Sequence, residues 1–351
     1  MNELLSIIVN GSKVLIKRGI LDYCGEFIID EVKFSKALII SDRNVSRIYM
    51  DRLTKQLSDM NFKTDIYLIE DGEKSKNLAT AEKIYDLLSS TLISRADLII
   101  AIGGGVVTDI AGFVAATYKR GVNLINIPTS LLGMIDASIG GKNGVNTNFG
   151  KNLVGTFYQP KLVIIDPDIL NTLPMDELRS GIAEAIKYGC ISDRYLFSIL
   201  EQGSLDENRE EIISRCIIIK KKAVEDDPFD EGERMLLNFG HTIGHAIEKM
   251  YNYGTVSHGQ AVSIGMNIMT KVSEMEGLTS KGTYKRLTLL CKKYNLPISV
   301  DVPIDMIYKT ILNDKKALDD YINLIFIKEI GKSFIYKSKI DRFVEQMTKI
   351  C

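Results

Sequence analysis

Five short runs in the first half of the chain carry Ile, Leu and Val with little interruption. They are KALIISD (Lys36 to Asp42), FKTDIYLIE (Phe62 to Glu70), DLIIAIGGG (Asp97 to Gly105), VNLINIP (Val122 to Pro128) and KLVIIDP (Lys161 to Pro167). A strand with one face in water alternates apolar and polar residues, whereas a strand with no polar face must be covered on both sides. The runs therefore predict strands buried on both faces in a mostly parallel sheet sandwiched by helices. Helical patterns at Leu78 to Leu88 and Val106 to Thr117 fall between them, as a doubly wound α/β fold requires.

Beyond Pro174 the β-rich runs thin out. Met175 to Tyr188, Arg209 to Val224, Gly240 to Met250 and Gln260 to Met275 read as amphipathic helices, and INLIFIKEIGKSFIYK returns as a strand or hairpin. At 351 residues the chain is long for one core. The expectation is an α/β domain over residues 1–174 and a mainly α-helical domain over 175–351. Net charge is −1 with basic residues dispersed, which argues against a nucleic-acid surface. The five cysteines form no CxxC pair and are odd in number, the N-terminus alternates like a strand, and no apolar run is long enough to span a bilayer. A cytoplasmic protein with no membrane partner is expected.

Gly103 to Gly105 close one buried run and open the helical pattern VVTDIAGFVAATY. Backbone without side chains can approach a phosphate closely, and a helix N-terminus offers unpaired N–H donors. The spacing is not GxGxxG, so this is a relative of the nucleotide fingerprint, with a plain strand-to-helix turn as the other reading. A second cluster, SIGGKNGVNTNFGKN (Ser138 to Asn152), reads as a long polar loop. Its lysines, Lys142 and Lys151, can donate to anionic oxygens.

All three histidines, His241, His245 and His258, lie between Asn238 and Ala261. His241 and His245 are four apart on a helix, so spacing alone allows both to face one metal, with a carboxylate and an open position completing a catalytic site. HTIGH lacks the glutamate of HExxH. Glu177, Glu184, Glu225, Asp226, Asp227 and Glu248 are the available acids. Glu184 stands out because it sits in SGIAEAIKYG, a small and apolar helix where a charge needs a partner, and Lys187 shares its face.

GGGVVTDIAGF, PTSLLGMIDASIGGKNGVN, GKNLVGTFYQP, SGIAEAIKYG, LNFGHTIGHAIE and SHGQAV together closely resemble the 3-dehydroquinate synthase family. The likeness runs in order, is densest from Asp97 to Met266, and extends to NDKKA at Asn313 to Ala317. It implies conversion of 3-deoxy-D-arabino-heptulosonate 7-phosphate to 3-dehydroquinate and phosphate, with catalytic NAD+ and one divalent metal, zinc or else cobalt. By position it implies Glu184, His241 and His258 as metal ligands and His245 as a substrate contact, which revises the reading from spacing. Gly104, Gly105 and Asp109 fall on the nucleotide loop, Glu73 and Lys76 on its adenosine side, Asp42 at the ribose, and Thr129 and Ser130 beside the nicotinamide. Asp136, Lys142, Lys151, Asn152, Lys187, Lys220, Arg234 and Asn238 match substrate positions, with Lys142 and Lys151 also among the cofactor-binding residues the resemblance implies. Arg120 matches a residue that reaches the neighbouring subunit's site, which implies a homodimer.

The pattern also departs from the family. Gln260 stands where many relatives have glutamate, Lys221 or Lys222 can exchange with Lys220 in the count, and Lys315 and Lys316 are equivalent candidates. Other sugar-phosphate cyclases of the 2-deoxy-scyllo-inosose synthase type and metal-dependent glycerol dehydrogenases share parts of the pattern. A nucleotide sensor leaves the metal set without a role.

Overall fold

The computed structural model describes residues 3–230, 232–251, 256–302, 306–307, 309–310 and 321–348. The chain divides into two compact units, Met1–Pro174 and Met175–Cys351. The first unit runs β1 (Leu5–Val9), β2 (Ser12–Ile16), α1 (Cys24–Glu31), β3 (Lys36–Asp42), α2 (Arg43–Asp59), β4 (Lys63–Ile69), α3 (Leu78–Ser90), β5 (Leu98–Gly103), α4 (Gly105–Thr117), β6 (Asn123–Pro128), β7 (Lys142–Thr147), β8 (Gly150–Phe157) and β9 (Leu162–Ile165).

Seven strands form one sheet in the order β1-β2-β9-β6-β5-β3-β4. From β2 to β4 every neighbour is parallel, and β1 adds an antiparallel edge through its hairpin with β2. All six residues of β5 and all four of β9 are buried. Against the sheet, α4 buries Val107, Ile110, Ala111 and Val114. Each fully buried Ile, Leu or Val contributes about 1.5–3 kcal/mol relative to exposure, so this interior holds the strand ends in place.

Two expectations are corrected here. β4 is not buried on both faces: it is an edge strand, with Ile66 and Leu68 exposed. Ser138 to Asn152 is not a loop throughout, because β7 and β8 pair as an antiparallel hairpin. The two strands press close at Gly155, where a side chain would meet the Asn143 carbonyl at 2.4 Å.

The chain order reverses where β3 and β5 lie side by side, since β4 flanks β3 on one side while β5, β6 and β9 continue on the other. Ligands of open α/β sheets bind outside the strand carboxyl ends at such a switch point. Asp42 ends β3 there, and Gly103 to Gly105 follow at the end of β5.

The second unit runs α5 (Met175–Ile191), α6 (Arg194–Gln202), α7 (Leu205–Asp226), α8 (His241–Met250), α9 (His258–Met275), α10 (Thr283–Lys293), β10 (Tyr321–Glu329), β11 (Lys332–Lys339) and α11 (Ile340–Thr348). β10 and β11 pair antiparallel. α5 is buried almost throughout from Ser180 to Ile191 and packs against α9. Among the described residues, no helix is long and apolar enough to cross a membrane.

Candidate functional site

Three helix segments of the second unit converge on one carboxylate. Glu184, fully buried on α5, lies one turn from Lys187, which is also buried and forms an ion pair with it. His241 opens α8 directly after Gly240, whose φ of 80° lets the chain turn into the helix. His258 opens α9, behind a Ser257 cap. His241 Nε2 lies 3.6 Å and His258 Nε2 3.3 Å from Glu184 Oε1. Ligand atoms of Glu184, His241 and His258 lie within 4.8 Å of one another.

The outer ring nitrogens are held as a metal site requires. His241 Nδ1 sits 3.2 Å from the Phe239 carbonyl, which assigns the proton to Nδ1 and leaves the Nε2 lone pair available. His258 Nδ1 lies 3.5 Å from Oε2 of Glu248, itself buried. Glu248, offered by the sequence as one ligand among several, thus stands behind His258.

Electrostatics favour a cation here. Burial alone would raise Glu184, but Lys187, His241 and His258 outweigh it and hold its pKa at about 2. Burial, with Lys187 nearby, pushes His241 down to about 3. Burial also opposes charge on His258, yet Glu184 and Glu248 raise it to about 9. Both Glu184 oxygens are buried and accept no well-formed hydrogen bond. A buried carboxylate oxygen without such a partner, facing the Nε2 atoms of His241 and His258, fits a divalent ion bound by one oxygen and two nitrogens once His258 gives up its proton.

His245 does not join this group. Its ring stands edge-on to His241, with centroids 5.4 Å apart, and it is exposed. Sharing a helix face was necessary for shared ligation but not sufficient, because only His241 sits at the helix start that meets α5 and α9. His245 instead lines a pocket of about 420 Å³ with Asn238, His241, Thr242 and, from β10, Tyr321 and Asn323.

Of the three neighbouring lysines on α7, Lys220 is buried, Lys221 lies 3.9 Å from Glu225, and Lys222 is exposed. Arg234 is buried and donates from Nη1 to the Pro228 carbonyl at 2.8 Å. Lys315 and Lys316 lie outside the described residues.

In the first unit, Gly104 caps α4 and Gly105 begins it. Behind this turn, buried Lys76 donates to Asp109 Oδ2 at 2.8 Å and lies 3.4 Å from Glu73 Oε1. Burial opposes a charged Lys76, but these carboxylates raise its pKa overall. Asp42 caps α2, its Oδ1 accepting from the Asn44 and Val45 N–H groups at 2.9 Å. Thr129 and Ser130 are buried after β6, and Asp136 lies in a π-helical turn (Gly133–Ala137). Lys142, Lys151 and Asn152 ride on the β7–β8 hairpin, Lys142 and Asn152 exposed and Lys151 half-buried. Arg120 is exposed, with φ of 62°.

Residues 66–180 match the family described as 3-dehydroquinate synthase N-terminal, and residues 181–317 the one described as 3-dehydroquinate synthase C-terminal. The chain is 46% identical over 333 residues to a 3-dehydroquinate synthase of Clostridium acetobutylicum, covering 93% of this chain and 94% of the relative. It is 40% identical over 342 residues to one of Streptococcus pneumoniae, covering 96% of each. A 2-epi-5-epi-valiolone synthase from Streptomyces hygroscopicus, solved with NAD+ and Zn2+ bound, matches with TM-score 0.88 and 26% identity over 99% of this chain and 98% of that one. A 2-deoxy-scyllo-inosose synthase shares the fold with TM-score 0.86 at 23% identity over 99% and 100% of the two chains. A glycerol dehydrogenase of Schizosaccharomyces pombe shares it more distantly, with TM-score 0.67 at 18% identity over 99% and 91%. With family signatures from residue 66 to 317 and relatives of nearly equal length, the chain belongs to the 3-dehydroquinate synthase family.

Proposed function

We propose that the protein is a 3-dehydroquinate synthase, a lyase that releases phosphate from 3-deoxy-D-arabino-heptulosonate 7-phosphate, in the cytoplasm and as a homodimer. The observation that carries this reading is the convergence of Glu184, His241 and His258 in a chain of this family. When bound, NAD+ supplies reversible hydride acceptance and the divalent metal polarises the oxygen at the carbon oxidised.

The remaining work falls to side chains. Glu184, His241 and His258 would hold the metal, while Glu248 and the Phe239 carbonyl orient the imidazoles. His245, which lines the pocket, contacts the substrate and can hold or pass a proton at its ring nitrogens. Residues 1–174 form the NAD+-binding domain. There Gly104 and Gly105, at the α4 N-terminus, would receive the pyrophosphate, and Asp42, Glu73, Lys76, Asp109, Thr129 and Ser130 would surround the nucleotide. Lys142, Lys151 and Asn152 hold the substrate phosphate. Residues 175–351 form the metal- and substrate-binding domain, in which Lys187, Lys220, Arg234 and Asn238 meet the polar substrate. Asp136 and Arg120 complete the set, Arg120 from the partner subunit.

The acid substrate is distinguished from neutral sugar phosphates by its carboxylate. A buried carboxylate needs cations, and a planar guanidinium matches it with two bonds. Arg234 and Lys220, both buried, suit that end of the substrate. The test compares phosphate release from the heptulosonate phosphate, glucose 6-phosphate and sedoheptulose 7-phosphate. Wild type should use only the acid, and Arg234→Met should lose most of that turnover. Equal turnover of a neutral sugar phosphate would refute the substrate assignment and leave a cyclase of another specificity.

A further inference from the structure

Asn146 lies in β7 where the hairpin register slips, after Val145 has paired with Val154 and before Thr147 pairs with Gly150. Irregular strand positions re-aim side chains and are common beside active sites. Freed from β8, the Asn146 backbone bridges Asn77, and its N–H donates to the Lys76 carbonyl at 2.8 Å. Its side chain uses both ends. Nδ2 donates to Glu73 Oε1 at 2.7 Å, and Oδ1 accepts the Asn152 N–H at 3.0 Å. A carboxylate on one side and an N–H on the other fix the orientation of the amide.

Both partners matter to the site. Asn152 has a φ of 56°, an uncommon conformation outside glycine, and the bond to Asn146 holds its N–H there. Glu73 lies against Lys76, which donates to Asp109 on α4. A continuous polar chain therefore runs Asn152, Asn146, Glu73, Lys76, Asp109 through the first unit. One end carries the groups assigned above to phosphate, the other those assigned to the nucleotide.

We propose that Asn146 is the positioning residue that couples nucleotide binding to the phosphate-holding hairpin, so that NAD+ and phosphate each tighten the other's binding. The inference rests on the functional reading above. Fixing either end of a hydrogen-bonded chain reduces what the second ligand must order, and such coupling is reciprocal. Lost positioning should raise both dissociation constants and abolish their mutual effect, which a merely structural role would not do.

The test measures the NAD+ Kd of the full-length protein by calorimetry, with and without saturating inorganic phosphate. Wild type should bind NAD+ about five-fold or more tightly with phosphate present. In Asn146→Ala, with metal content and melting profile checked, the ratio should fall to about one. Asn146→Asp keeps the acceptor for Asn152 but sets a second carboxylate against Glu73, so it should weaken NAD+ more than phosphate. This near-isosteric change keeps the test usable if the alanine variant folds poorly. Variants with the wild-type ratio, or a wild-type ratio of one, would overturn the coupling alone. A wild type that binds no NAD+ would overturn the functional reading and the coupling together.

Discussion

Replacing Gly259 with alanine should cost the protein its metal before it costs the fold. Gly259 is the second residue of α9, immediately after His258, and its backbone lies directly on α5 four residues before Glu184. A methyl group there would lie 2.3 Å from the Ser180 Cα and 2.9 Å from its carbonyl oxygen. Non-bonded carbons rest at about 3.5–4.0 Å, so the start of α9 must move from α5 by roughly 1.2 Å or more. Ordinary overpacking of this kind costs about 1–3 kcal/mol of stability. The metal is less tolerant, because zinc–nitrogen and zinc–oxygen bonds hold to within about 0.2 Å of their ideal lengths. Glu184 and His258 sit on the two surfaces being separated, so affinity should fall by well over ten-fold. A chromophoric chelator in competition for Zn2+ reads the affinity, and thermal melts of metal-free and metal-loaded protein read the stability. Gly277→Ala is the matched control. It is exposed, with open space around it and φ of 70°, so alanine costs about 1–2 kcal/mol of backbone strain far from any ligand. A folded Gly259→Ala variant with metal affinity within three-fold of wild type would refute the argument that this helix contact sets the ligand spacing.

Glu248→Gln should lower metal affinity about 10–100-fold, read by the same competition, because it removes the carboxylate behind His258. In metal-free protein His258 titrates at about 9, so adding Zn2+ at pH 7.5 should release about one proton per chain, measured in buffers of different ionisation enthalpy. No release would place His258 outside the ligand set. Because that pKa is raised, its stabilisation is complete below the ordinary value of 6.5 and lost as pH rises through about 9, so the metal-free Tm should decline across this window and decline less in His258→Gln. Turnover should require NAD+ yet accumulate no NADH. Accumulation equal to product would identify a dehydrogenase instead.

The sheet was legible because burial on both faces leaves a compositional mark: Leu98 to Ile102 admit only apolar residues. Edge position leaves a weaker one. YLI in β4 looks like its buried neighbours, and only the strand order, which no local pattern records, exposes Ile66 and Leu68. The β7–β8 hairpin was hidden for the opposite reason, since glycine and asparagine carry little strand propensity. Its strands are set by close backbone approach and by packing on α4.

Of the residues in the candidate metal centre, Glu184 was conspicuous because a charge amid small apolar residues has no local explanation. Glu248 was not, since an acid in HAIEKM looks like the solvent face of an amphipathic helix. Its burial depends on where α9 brings His258. Asn146 gave no signal at all, because its partners Glu73 and Asn152 lie on different segments.

At Gln260, where the resemblance leads to an expectation of glutamate, the side chain performs a capping task without charge. Gln260 Oε1 accepts the Ser257 N–H at 2.9 Å, and the Gln260 N–H points back to Ser257 Oγ at 3.4 Å, closing a reciprocal capping box around the first turn of α9. The box asks for a side-chain oxygen three residues after the cap, and glutamine supplies it as glutamate does. What glutamate adds is half-complementary charge at a helix N-terminus, worth about 0.3–1 kcal/mol. That contribution is small beside the consequence of losing the box, because His258 is the first helical residue inside it and its backbone is fixed by the cap on either side. The negative charge that His258 needs arrives instead from Glu248 on α8. The substitution therefore leaves both the direction of the imidazole and its electrostatic support in place, divided between a neutral cap in sequence and an acid brought near by the fold.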